Sequence, residues 1–135
     1  MSKILLADDE EVLRSLLTTM LETDGHVVKA VANGSEVLKA VAKEVIPFDL
    51  LITDLIMPDK EGIETIMELK KEHSSLKIIA MSGGGRRGAD GYLKLALKLG
   101  AAAALQKPFD RQELLDTVRN VVNSKCETKE PRFSG

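Results

Sequence analysis

Short apolar runs alternate along the chain with longer stretches whose apolar residues recur every three or four positions. Ser2 to Ala7 contains the compact run KILLA, and Val12, Leu13, Leu16, Leu17, Met20 and Leu21 follow at helical spacing until Asp24-Gly25. His26 to Ala32 reads as a second strand carrying Lys29, as an edge strand does. After Asn33-Gly34 a helix repeats Val37, Leu38, Val41 and Val45, and Pro47 stops it. Leu50 to Ile52 is a third, wholly apolar strand, followed past Met57-Pro58 by a helix with Ile63, Ile66, Met67 and Leu69 on one side. Ile78 to Met81 makes a fourth strand. A glycine-rich loop, Gly83 to Gly91, then precedes a helix ending at Leu99, with Gly100 at its C-terminal cap. Ala101 to Leu105 is a weak run of small residues that suits a helix as well as a strand, and only the regular alternation favours strand. Asp110 with Glu113 three residues on forms a capping box for a last helix through Leu114, Leu115, Val118, Val121 and Val122.

Five strand–helix units whose strands do not alternate polar with apolar require a parallel sheet covered on both faces. The expected fold is a doubly wound α/β domain over residues 1–123, with right-handed crossovers and the flavodoxin-like strand order 2-1-3-4-5. In that order a crevice opens at the carboxyl ends of strands 1 and 3, so function is sought in the polar residues there. Residues 124–135 lapse into a polar tail, read as a disordered end or the start of a linker.

Composition narrows the classes. At roughly 100 to 200 residues per domain, 135 residues make one domain, and once these units are assigned no room is left in them for an effector. Cys126 stands alone, which excludes an intramolecular disulfide and a cysteine zinc cluster. No window approaches the 18 or so apolar residues of a membrane span, and the first apolar run leads directly into Asp8-Asp9-Glu10-Glu11, unlike a signal peptide. The chain therefore reads as soluble and cytoplasmic. Nineteen basic against 21 acidic residues, no Trp and four Phe or Tyr give neither the positive excess nor the stacking surface of a nucleic-acid binder. His26 and His73 lack a spaced ligand partner.

The strand ends carry Asp8-Asp9, Asp54, Ser82 and, past Gln106, Lys107-Pro108. Each has an ordinary reading: the first aspartates as helix caps, Asp54 as the start of a turn, Ser82 as a loop residue and Lys107 as a solvated lysine. Their conjunction at four converging strand ends is more specific than any member. Three carboxylates in one crevice must share protons, recruit a cation or pair with Lys107. An all-oxygen site open to solvent suits Mg²⁺.

These residues resemble the receiver domain of bacterial two-component response regulators, of the single-domain, chemotaxis-regulator kind. The likeness covers about residues 3 to 123 and rests on Asp8-Asp9, on Asp54-Leu55-Ile56-Met57-Pro58 with Gly62 following, on Ser82, and on Lys107-Pro108-Phe109. It implies that Asp54 accepts a phosphoryl group from a phosphohistidine on a sensor histidine kinase or histidine phosphotransfer protein. Mg²⁺ would be held by Asp9, Asp54 and the backbone carbonyl of Ile56, with Asp8 acting through water. Lys107 and Ser82 would bind phosphoryl oxygens, and the Lys107–Pro108 bond would be cis. The signal would pass through the loop after Ser82 to the fourth helix and fifth strand, towards a downstream protein or a second copy. The chain would catalyse only its own phosphorylation and dephosphorylation.

Some features depart from that pattern. Ala104 stands where many receivers carry a switching Tyr or Phe three residues before the lysine. The loop Gly83 to Gly88 is glycine-rich enough to be mobile without phosphate. Ile56 is poorly suited to orient an attacking water, so autodephosphorylation is expected to be slow. On a helical wheel Tyr92, Leu95, Ala96 and Leu99 form one face of the fourth helix and Lys94 with Lys98 another; Leu93 and Leu97 lie between, either as a leucine ridge edged in positive charge for a partner or second copy or covered by neighbouring loops. Competing readings are a degenerate receiver that binds partners without phosphorylation, a haloacid-dehalogenase-type phosphohydrolase and a flavodoxin. The phosphohydrolase needs an acid where Ile56 stands, and a flavodoxin would place its phosphate against Asp8 to Glu11.

Overall fold

A computed structural model describes residues 2–55, 62–83 and 89–123, with the backbone alone at positions 89, 90 and 92. The elements alternate strictly: β1 (Lys3–Ala7), α1 (Glu11–Thr23), β2 (Val27–Val31), α2 (Gly34–Lys43), β3 (Leu50–Asp54), α3 (Gly62–Glu72), β4 (Lys77–Gly83), α4 (Ala89–Lys98), β5 (Ala103–Lys107) and α5 (Arg111–Asn123). All strand pairs are parallel, in the order β2-β1-β3-β4-β5. The expected doubly wound sheet is therefore the fold observed.

Strand parity divides the apolar residues between two cores, because successive side chains point to opposite faces. Leu5, Ala7, Leu51, Ile78 and Ala80 face one side, where Val37 and Ala40 of α2, Ile66 and Leu69 of α3, and Leu93 and Ala96 of α4 cover them. Ile4, Leu6, Leu50, Ile52, Ile79 and Met81 face the other, under Leu17 and Leu21 of α1 and Leu114, Leu115, Val118 and Val121 of α5. Both faces being covered is why these strands tolerate no alternation.

Local chemistry sets the helix ends. Asn33 Oδ1 accepts the Glu36 amide while Glu36 Oε1 accepts the Ala32 amide, a reciprocal cap at the start of α2. Asp110 Oδ1 accepts the Glu113 amide at 2.8 Å in front of α5. Gly25 and Gly100 take φ values of 95° and 118° after α1 and α4, where a side chain would be strained.

Some element boundaries differ from the sequence pattern. β4 and β5 run to Gly83 and Lys107, beyond their apolar runs, because the ladder continues through the pairs Ser82↔Gln106 and Gly83↔Lys107. α2 ends at Lys43, short of Pro47: Lys3 Nζ binds the Glu44 carboxylate and the Ile46 carbonyl, each at 2.5 Å, and draws the chain out of the helix. Val45 is left in solvent. The Glu44 carboxyl is held below its usual range by the Lys3 hydrogen bond.

The two readings of Leu93 and Leu97 are decided differently for each residue. Leu93 is buried at 8% exposure and belongs to the core, whereas Leu95 and Leu97 are 42% and 46% exposed. At about 100° per residue those two lie on opposite flanks of α4 and form no continuous ridge. The glycine loop falls at residues 84–88, outside the described residues, as does the tail 124–135. Among the described residues no helix is long and apolar enough to cross a membrane.

Gly62 ties α3 to the end of β3. Its amide donates to the Leu55 carbonyl at 2.9 Å, and a Cβ there would collide with the Asp54 carbonyl oxygen and lie 2.6 Å from the Leu55 Cα. Backbone cannot yield as a flexible side chain can. Gly62→Ala should therefore lower the unfolding free energy in urea by about 1–3 kcal/mol. Gly91→Ala, whose Cβ meets nothing within 4 Å in α4, should raise it by up to about 1 kcal/mol. Equal effects at the two positions would refute the close approach at Gly62.

Candidate functional site

The carboxyl ends of β1, β3, β4 and β5 converge as the strand order requires. Asp54 is the last residue of β3, held in the ladder opposite Met81, and the Leu55 amide donates to the Met81 carbonyl at 2.9 Å. Asp8 follows β1 directly, with its amide on the Val31 carbonyl of β2 at 3.2 Å. Asp8 is fully buried and Asp54 is 6% exposed. Such burial costs several kcal/mol per uncompensated charge.

Lys107 compensates both. Its Nζ donates to Asp8 Oδ2 at 2.8 Å and to Asp54 Oδ2 at 2.7 Å, so one ammonium bridges two carboxylates. Burial alone would lower the Lys107 pKa, but hydrogen bonds and charge from Asp54 and Asp8 outweigh it and hold the ammonium above the ordinary value of 10.5. The second Asp8 oxygen, Oδ1, accepts the Glu10 amide at 2.9 Å, and the Arg14 guanidinium donates to the Asp8 carbonyl at 2.8 Å. The Lys107–Pro108 peptide is cis.

Asp9 stands apart from this network. It is exposed, and among the described residues it makes no hydrogen bond or ion pair. Yet one carboxylate oxygen from each of Asp8, Asp9 and Asp54 lies within 4.8 Å of the others. Three hard oxygen donors of like charge, one reaching solvent, fit a hard divalent cation that keeps part of its water shell. Ser82 is buried at the end of β4, and its Oγ has no hydrogen-bond partner among the described residues. A buried hydroxyl without a partner costs free energy, which an incoming acceptor oxygen would recover.

The structure thus brings Asp8, Asp9, Asp54, Ser82 and Lys107 to one end of the sheet. Ile56, expected to offer its backbone carbonyl, lies outside the described residues. Ala104 is on β5 in register with Ala80 and packs partly buried against the α2–α4 core. His26 is remote from the site: its Nδ1 accepts the Ser2 amide, and its Nε2 lies 3.5 Å from Asp24. Sequence reasoning missed Arg14. The available signal was a basic residue in the opening turns of a helix, where the macrodipole favours acids.

A doubly wound sheet in this order, with an acidic crevice and a lysine at its carboxyl end, is the class that signal receivers occupy. The chain belongs to the response regulator receiver domain family, whose description, "Response regulator receiver domain", matches residues 4–119. It is 40% identical over 124 residues to the DNA-binding transcriptional regulator NtrC of Azospirillum brasilense, covering 90% of this chain and 24% of that protein. With the transcriptional regulatory protein CpxR of Klebsiella pneumoniae the identity is 37%, over 90% of this chain and 50% of that one. The chain thus spans between a quarter and a half of those regulators. It matches nearly the whole of the chemotaxis protein CheY of Halobacterium salinarum, at 32% identity over 90% of this chain and 98% of that one. Among solved structures, a response regulator receiver domain protein from Clostridium thermocellum superposes with a TM-score of 0.83 at 32% identity, covering 91% of this chain and 95% of that one.

Removing Lys107 leaves two buried carboxylates facing each other. Lys107→Met should cost about 3 kcal/mol of stability at pH 7 without divalent metal, as loss of one partner of a buried pair does. Because the folded-state pKa of Lys107 is raised, its contribution is complete below the ordinary lysine value of 10.5 and is lost as pH rises through the folded value. The stability gap between wild type and Lys107→Met, followed by urea unfolding, should stay constant from neutral pH to about 10 and close only above that. A gap that closes between pH 7 and 9 would contradict this assignment.

Proposed function

We propose that this receiver takes a phosphoryl group on Asp54 from the phosphohistidine of a sensor histidine kinase or histidine phosphotransfer protein, with Mg²⁺ held by Asp9 and Asp54 and by Asp8 through water. The observation that carries the reading is the bridged pair of buried carboxylates beside an unpartnered Ser82 hydroxyl. An Asp54 carboxylate oxygen attacks phosphorus, the P–N bond breaks, and its electron pair remains on the imidazole nitrogen. Bound Mg²⁺ supplies the positive charge that screens two reacting anions. Lys107 pairs with one phosphoryl oxygen and Ser82 donates a hydrogen bond to another. Asp8 serves through water, since its Oδ2 and Oδ1 already face Lys107 and the Glu10 amide.

The donor must approach over the rim of the crevice. Beside Lys107 lies a hollow of about 350 Å³ floored by Leu13, Leu16, Met20 and Phe109, and Val12 on the first turn of α1 is 83% exposed. Apolar surface at the edge of a charged site supports docking of a protein donor there. Occupation of the site is read out through the loop after Ser82 and the α4–β5 surface, by a downstream protein or a second copy. In this reading residues 1–123 are the receiver unit of a cytoplasmic chain, without nucleic-acid or membrane contacts of its own. Its catalysis is confined to its own phosphorylation and dephosphorylation.

Incubation with Mg²⁺ and a small acyl phosphate should add one base-labile phosphoryl group by intact mass. The gain should vanish in Asp54→Asn and with a chelator. No adduct on wild type would favour a degenerate, phosphorylation-independent binding module, and an undiminished adduct on Asp54→Asn would move the acceptor elsewhere.

A further inference from the structure

Arg14 has no part in the chemistry above, yet it grips the acidic loop. From the second turn's edge of α1 its Nη1 reaches back over the helix N-terminus to the Asp8 carbonyl at 2.8 Å. A cation is electrostatically misplaced at that end of a helix, so the helix itself gives no reason for it. The charge-assisted hydrogen bond does.

The bond falls on a consequential peptide. The Asp8 carbonyl belongs to the Asp8–Asp9 link, and Asp9 is the one member of the acidic cluster with no contact of its own among the described residues. Asp8 is fixed through its amide by Val31, through Oδ2 by Lys107 and through Oδ1 by the Glu10 amide. Glu10 precedes α1 without capping it by its side chain. Arg14 is thus the described side chain that ties α1 to the Asp8–Asp9 peptide, and the orientation of that peptide determines where the Asp9 carboxylate points.

We infer that Arg14 is a positioning residue for the cation site: by holding the Asp8 carbonyl it keeps the Asp9 carboxylate aimed at Asp8 and Asp54. The inference rests on the reading of this cluster as a Mg²⁺ site. It has a sign that charge alone cannot mimic. A guanidinium near the crevice repels a dication, so if Arg14 acted only through its charge its removal would tighten Mg²⁺ binding. Positioning demands the opposite.

The test is calorimetric titration of Mg²⁺ alone into wild type, Arg14→Gln and Arg14→Lys, with metal-free thermal melts beside it. Thr18→Val, which deletes the Oγ1 bond to the Arg14 carbonyl, reports on general weakening of the same helix. Arg14→Gln should weaken Mg²⁺ by about tenfold, as loss of a group orienting a metal ligand does. Arg14→Lys, which keeps a donor of the same charge, should recover most of that, and Thr18→Val should leave Mg²⁺ affinity unchanged. Equal or tighter binding by Arg14→Gln, or a Lys variant no better than Gln, overturns the inference while the wild-type affinity leaves the site standing. A wild type that binds no Mg²⁺ overturns the site and the inference together. Should Arg14→Gln fail to fold, Arg14→Met takes its place in the same titration: weaker Mg²⁺ binding that Arg14→Lys recovers upholds the inference, and binding equal to wild type overturns it.

Discussion

Two carboxylates taken out of water at the ends of neighbouring strands repel each other and each pays for lost hydration; a single ammonium between them, at 2.7 and 2.8 Å, is what makes the arrangement tolerable. Asp8, Asp54 and Lys107 are far apart in sequence and come from β1, β3 and β5, so the bridge spans the sheet across β4. Hydrophobic parity dictates which faces the helices cover. The lysine offsets much of the cost of burying carboxylates at the polar end of the sheet. A site balanced in this way is poised, because a dication arriving at the same carboxylates makes the ammonium available to something else.

The fold carries the site on rigid parts. Asp54, Ser82 and Lys107 all sit in hydrogen-bonded ladder positions, paired with Met81, Gln106 and Gly83. Their backbones cannot drift without breaking the sheet. Gly62 brings the start of α3 against the Asp54 carbonyl, and Arg14 brings α1 against the Asp8 carbonyl. Ser82 and Lys107 are on adjoining strands next to the segment that leads into α4. Under the proposed function, a new bond to the Ser82 hydroxyl would act at the end of β4, which is how occupation of the site would bias a surface away from it.

Much of this was legible from residue patterns. The unalternating runs KILLA and Leu50 to Ile52 required a two-sided sheet, and the strand-end polar residues marked the crevice before any coordinates. The rest was not legible. Where a strand continues under polar residues, as at Ser82 and Lys107, the ladder and not hydrophobicity sets its end. Lys3 ends α2 through contacts 41 and 43 residues away in sequence, which no local window contains. On α4 the wheel left open which leucines are covered, because a helix with leucine on several sides has no single apolar face; only its packing against the sheet decides that Leu93 is buried and Leu95 and Leu97 are not. Arg14 was marked only by its charge at the wrong end of a helix; its partner, a backbone carbonyl, is not readable from residue type.

Under the proposed function Lys107 and a divalent cation compete for the same carboxylates. Titration of Mg²⁺ into metal-free wild type and Lys107→Met measures it directly. If they compete, removing the ammonium takes one positive charge from between Asp8 and Asp54, and the dissociation constant for Mg²⁺ should fall by about tenfold, the scale of one unit charge removed from a partly screened site. A Lys107→Met protein that remains folded and binds Mg²⁺ no better than wild type would contradict it.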